Sequence, residues 1–141
     1  MKALLNAENA DDYNRCADLL VHSWRSMMAR GAECPIVAQQ FKCACGADGT
    51  QVFAAFCTFL CALALAQRRC LRVNPPGERS LTLDEQRMLA LIACAQNGCH
   101  AALEAHLCWL ARRMLRRTLE RSVRELADAL STHQLRLPVP V

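Results

Sequence analysis

The sequence predicts an all-α, single-domain bundle of about five helices spanning residues 1–141, with one apolar helix near its centre. Three observations lead there. The chain is 53% hydrophobic but only 5% aromatic, and Ala and Leu dominate over the Val, Ile, Thr and Tyr that strands favour. Apolar residues recur at steps of three and four, the helical period. Gly and Pro are few and cluster at a handful of sites, where they read as stops between helices.

The elements follow in order. From about Asp11 to Arg30, Tyr13, Cys16, Ala17, Leu20, Trp24, Met27 and Met28 form one apolar stripe, and Asp12, Arg15, Asp18 and Arg25 lie between them. This is the pattern of an amphipathic helix. Gly31 ends it, and Pro35 opens a second helix through Cys45. Gly46, Asp48 and Gly49 break that helix, and the next runs over about Thr50–Arg69. Its segment Val52–Ala66 contains Thr58 as its one polar residue. The segment is shorter than the roughly 20 residues a membrane span needs, so the expectation is a buried central helix and no membrane. Asn74-Pro75-Pro76-Gly77 makes residues 70–80 a crossover loop. Thr82 and Glu85 then form a capping box for a helix that Asn97-Gly98 ends. Residues 99–131 hold neither Gly nor Pro, but the apolar pattern changes phase at Met114/Leu115. Either one helix changes its buried face there or two helices meet. Trp109 reads as core, and the prolines make the tail, residues 135–141, extended.

Ten cysteines in so short a chain would suggest disulfides in a secreted protein. The beginning MKALLNAENADDYNR, however, is polar and acidic where a leader would be apolar. The cysteines also fall within helical patterns. The expectation is a reducing, cytoplasmic setting with free thiols. The formal charge of +4 comes from 17 basic and 13 acidic residues, and apart from Lys2 and Lys42 the basic residues are arginines.

Two groups have metal-ligand chemistry. Thiolates bind Zn and Cu(I) when two to four converge, and Cys43 and Cys45, with Cys34 and the pair Cys57/Cys61, are the candidates. Against this, a one-residue spacing is not a zinc knuckle, and cysteine packs well as a small apolar side chain. His100, Glu104 and Cys108 step by four along one helical edge and form a second candidate, although His–Glu at that spacing is also a common ion pair. No cofactor is required by either pattern.

The strongest electrostatic feature is Arg112, Arg113, Arg116, Arg117, Arg121 and Arg124, a candidate face for phosphates or an acidic partner. Glu104, Glu120, Glu125 and Asp128 surround it, and no aromatic residues interleave for base stacking. Leu81-Thr82, Glu85, Leu89 and Leu91-Ile92-Ala93 resemble the opening of a LuxR-type helix-turn-helix over about a dozen residues. The long helical pattern after Gly98 replaces the turn and recognition helix of that family, so no DNA-contacting residue follows from the resemblance. The capping box alone accounts for it.

No Gly-rich phosphate loop, nucleophile elbow or His-Glu-x-x-His helix is present. The sequence therefore points to a non-catalytic protein acting by protein–protein contact as an adaptor or regulator, with a homodimer through the C-terminal helix. A cysteine-based metal or redox sensor and a DNA-associated regulator are the alternatives.

Overall fold

The computed structural model describes residues 2–31 and 34–138, with side chains from residue 15 onward. It is an all-α bundle in which α1 spans Lys2–Arg30, α2 Pro35–Cys45, α3 Gly49–Ala66, α4 Leu83–Gln96, α5 His100–Leu110 and α6 Arg116–Thr132. Single 3₁₀ turns, Gly46–Asp48 and Arg113–Leu115, join α2 to α3 and α5 to α6. Helix α1 starts nine residues earlier than the apolar stripe indicates. Its first turns, rich in Ala and Leu, contain no Gly or Pro, so propensity continues the helix there.

The local stops act as expected. Gly31, at φ +96°, ends α1 and donates its N–H to the Met27 carbonyl. Thr82 and Glu85 form the full capping box of α4. In the tail, the Gln96 amide bonds the backbone of Leu135 and Leu137 at 2.7 and 2.8 Å, and both leucines are buried. Val139–Val141 lie outside the described residues.

Helix α6 sits between α3 and α4 and buries Leu119, Val123, Leu126 and Leu130 against them. Helix α5 packs on α4 through Leu103, Leu107 and Leu110. The change of phase at Met114/Leu115 is therefore the meeting of two helices, and each buries its own stripe in the same core. No surplus apolar stripe remains on α6. This removes the structural premise on which a dimer through that helix rested.

By length and composition, Pro35–Ala66 taken through its 3₁₀ turn is apolar enough to cross a membrane. It is not one straight rod. The Phe41 ring lies 5.4 Å from Phe53 and 5.5 Å from Phe56, residues that a continuous helix would set roughly 18 and 22 Å along its axis. The chain folds back at Gly46, whose φ of 65° and ψ of −134° suit glycine alone. Gly49 completes the corner. A Cβ there would stand 2.5 Å from the Lys42 Cα and 2.7 Å from the Phe41 carbonyl oxygen. Both are backbone atoms that cannot rotate away, so Gly49→Ala is expected to cost about 1–3 kcal/mol of stability. Urea denaturation checks this, and an unchanged midpoint would show that the corner can open at no cost.

Helix α3 ends at Ala66, three residues before the sequence pattern does. Gln67 is extended and pairs with Ala111 in an isolated antiparallel bridge. Arg68 N–H donates to the Leu110 carbonyl at 3.1 Å, and Arg112 N–H donates to the Ala66 carbonyl at 2.8 Å. Each arginine side chain also caps the other helix: Arg68 reaches the Cys108 carbonyl and Arg112 the Leu65 carbonyl. The C-terminal ends of α3 and α5 thus satisfy each other's orphan carbonyls.

Candidate functional site

The structure separates the candidate thiols. Cys34 stands at the N-cap of α2 and Cys45 in its last turn, about 16 Å apart along an 11-residue helix. Cys45 is buried, while Cys43 is exposed and takes a bond of 3.8 Å from Gln39. Cys57 is half-buried and Cys61 exposed on α3. All ten cysteines are unpaired. Burial, with Cys45 nearby, pushes the Cys16 thiol up to about 12, and Arg15 only partly opposes it. Burial likewise raises Cys45 and Cys57. Burial thus disfavours the charged thiolate at these three positions. Among the described residues no three His, Cys, Asp or Glu side chains converge as a metal site.

The second candidate edge is an ion-pair lattice. Glu104 takes two bonds from Arg117, at 2.9 and 3.2 Å, and the Arg124 guanidinium meets His100 Nδ1 at 3.2 Å. Cys108 is exposed, and its carbonyl is the group that Arg68 caps. The arginine run is largely engaged within the chain. Arg112 bonds the Leu65 carbonyl and Arg116 the Ala111 carbonyl, Arg117 bridges Glu104 and Glu120, and Arg124 pairs with Glu120 at 3.0 Å. Among the described residues, Arg113 and Arg121 alone of the six make no such bond.

Two features were not foreseen from sequence. The first is a buried polar knot. Arg25 on α1 bonds both carboxylate oxygens of Glu85, at 2.7 and 3.0 Å, with side chains 3% and 0% exposed. Its remaining N–H groups hold the Glu78 and Ser80 carbonyls at 2.6 and 2.8 Å. Next to it, Asp84 takes two bonds from Arg69 and one from the Arg72 N–H. The knot pins the crossover loop onto α1 and α4. Its chemistry is structural, because every charge is paired inside the fold.

The second is the solvent side of α3. This is the most apolar helix of the bundle, but it is not the buried central helix its composition suggests: it packs against α2 and α6 on one side only, and α6, in contact with α3, α4 and α5, takes the central place. Helix α3 buries Val52, Phe56, Phe59 and Leu63, yet leaves Gln51, Ala54, Thr58, Cys61 and Leu65 exposed at alternating steps of three and four. No charged residue occurs between Asp48 and Arg68. Large apolar side chains edge this strip. Leu65 is 65% exposed, Met28 on α1 64%, and Met114, in the turn that packs on α3, 94%. Between α1 and α3 lies a hollow of about 260 Å³ lined by Met27, Met28, Cys57, Leu60, Cys61 and Leu71. A neighbouring hollow shares Leu71 and contains Trp109, which is 61% exposed and not core as its spacing suggests. The Arg87 guanidinium stacks on its ring at 4.7 Å, which explains an indole held at the surface. A wider groove of about 870 Å³ between α1, α2 and Leu135 mixes Ile36 with Arg15 and Asp18 and lacks this uniform character.

No protein-family model, no curated protein sequence and no solved structure matches the chain.

Proposed function

We propose that this chain is a non-catalytic helical interaction module, an adaptor or regulator that works by contact with another protein through the exposed face of α3. One observation carries the reading: the strip Gln51–Ala54–Thr58–Cys61–Leu65 faces solvent with no charged side chain of its own, and Met28 of α1 stands near it. A helix of a soluble bundle normally puts charged residues on its outer side. Contiguous exposed apolar surface marks a contact site. Covering the part of the strip away from the Arg112 guanidinium on the Leu65 carbonyl strips water from no ion, so little of the gain from burial is lost to desolvation there. In this reading the thiols remain reduced in a cytoplasmic setting, and the buried ones serve as small core residues.

A photo-reactive amino acid placed at position 65 in producing cells tests the proposal. It is expected to give a protein adduct, while the same group at Arg121, exposed on the charged side of α6, gives none. An empty lane at position 65 would overturn the reading.

A further inference from the structure

We propose that Cys94 and Cys99 form a peroxide-sensitive thiol pair, whose disulfide locks the corner between α4 and α5 that holds the C-terminal tail. This goes beyond the contact reading and does not depend on it.

The corner sets the two thiols side by side. Asn97 caps α4, Gly98 follows at φ +68°, and the Cys99 N–H donates to the Cys94 carbonyl at 3.0 Å. This is a Schellman motif, in which the side chains at the two ends of the turn commonly meet. Both belong to one apolar cluster, with Cys94 buried and Cys99 half-buried. With standard backbone dimensions, that hydrogen bond keeps the two Cα atoms within about 7 Å. Disulfides span about 4.4–6.8 Å. The Cys99 thiol otherwise makes a long contact of 3.9 Å to the Asn97 carbonyl, so turning it toward Cys94 gives up little. Cys94 is 2% exposed. An oxidant from solvent therefore meets Cys99 first, and Cys94 stands behind it as the resolving partner.

Neighbouring thiols elsewhere lack this arrangement. Cys57 and Cys61 share one turn of α3, where Cβ atoms stand about 5–6 Å apart. A disulfide needs roughly 3.5–4.5 Å. Cys16 and Cys45 interact, but both are buried, so neither offers an oxidant an entry.

The reaction balances on two thiols and one hydrogen peroxide. The Cys99 sulfur, as thiolate, attacks one peroxide oxygen, the O–O bond breaks, and the departing hydroxide takes up a proton as water. The Cys94 sulfur then attacks the Cys99 sulfenic acid. An S–S bond forms, the S–O bond breaks, and the second hydroxide leaves with the Cys94 proton as water. Cellular thiols reverse the bond by exchange.

The ring that this bond closes contains Gln96 and Asn97. The Gln96 amide donates to the Leu135 carbonyl at 2.7 Å and accepts the Leu137 N–H at 2.8 Å, and Asn97 donates to the Leu137 carbonyl at 3.1 Å. Tying the two ends of the turn together restricts its opening, so the oxidised corner grips the tail more firmly.

Peptide mapping of the full-length protein tests the inference. Reduced protein is treated with hydrogen peroxide, its remaining thiols are blocked with iodoacetamide, and trypsin with a glutamate-specific protease releases Met88–Glu104. Cys94 and Cys99 are the two cysteines of that fragment. Its mass is expected to be two hydrogens lower with no alkyl group added, and dithiothreitol is expected to restore both alkylation sites. Cys99→Ser, at a half-buried position, and Cys94→Ala, which keeps a small apolar side chain, should each abolish the bond. An unchanged circular dichroism spectrum is expected for both. Hydrogen exchange at the Leu137 amide should slow several-fold on oxidation of the native chain and stay unchanged in Cys99→Ser. A fragment alkylated at both thiols after peroxide would overturn the inference. So would a bond from either cysteine to a third, or a Cys99 sulfinic acid beside a free Cys94. Equal exchange at Leu137 in the two forms would overturn the lock on the tail.

Discussion

Arg25→Ala is expected to lower the free energy of unfolding by about 3–5 kcal/mol, because it leaves the Glu85 carboxylate buried without its partner. The change also releases the Glu78 and Ser80 carbonyls and with them the crossover loop. Urea denaturation measures the loss, and a change below about 1 kcal/mol would show that water reaches Glu85. The paired replacement Arg25→Met with Glu85→Gln is expected to be milder than Arg25→Ala alone. It buries no lone charge, and glutamine still serves the capping box with Thr82. Acid titration reports on the same knot. Burial alone would push the Glu85 carboxyl up, but the Arg25 bonds, the Thr82 N–H and the Arg25 charge outweigh it and hold it below its ordinary 4.5. Asp84 behaves alike: burial opposes the Arg69 bonds, the Arg72 N–H and the charges of Arg69 and Arg87, which keep it below 3.8. A carboxyl depressed on folding contributes stability that is complete above its unfolded value and is lost as pH falls through the folded one. The chain should therefore hold its stability down to the ordinary carboxylate range and lose it below, and Arg25→Ala should flatten that loss.

Phe41→Ala is expected to cost about 3–5 kcal/mol, the usual range for emptying a fully enclosed aromatic site. Phe41 is the hinge pin of the α2–α3 corner. Its ring is wholly buried against Phe53 and Phe56, and its own carbonyl lies under Gly49. Removing the ring opens a cavity where two helices have no other aromatic contact to hold them, so the site collapses poorly. Phe41→Leu keeps most of the apolar volume and should cost less than half as much. Thermal and urea unfolding of the two variants would check the ranking, and an equal cost for both would mean that ring geometry, rather than filled volume, fixes the corner.

The parts legible in the sequence are those set by local chemistry. Gly31, Gly46, the Thr82/Glu85 box and Asn97-Gly98 each act within a few residues of themselves, and each stops or starts a helix where its backbone demands. The break between α5 and α6 was legible only as a change of phase at Met114/Leu115, which left one helix or two open. No Gly or Pro marks it, and the backbone there pairs with Gln67 and Arg68 from a distant part of the chain, which no local pattern reveals. Arg25 looked like one more charge on the polar side of α1, and only the return of α4, 60 residues later, made it a core residue. The exposed strip of α3 was hidden by composition. A run of Ala, Thr, Cys and Leu without charge reads the same whether its second side meets α6 or solvent. Sequence indicated the missing charge, but the packing of α6 into the central place decided which side remained open.

The exchange of arginines between α3 and α5 changes how those helices come apart. A helix end ordinarily frays by itself, losing one turn at little cost to the rest. Here the carbonyls of each last turn are held by an arginine that follows the other helix, across 40 residues in one direction and 47 in the other. Opening the end of α3 frees Arg112, and a freed Arg112 no longer holds the strand pairing that keeps Arg68 on Cys108. The two termini therefore melt as one cooperative event, and the bundle behaves at that corner as if it had one helix end where the chain has two.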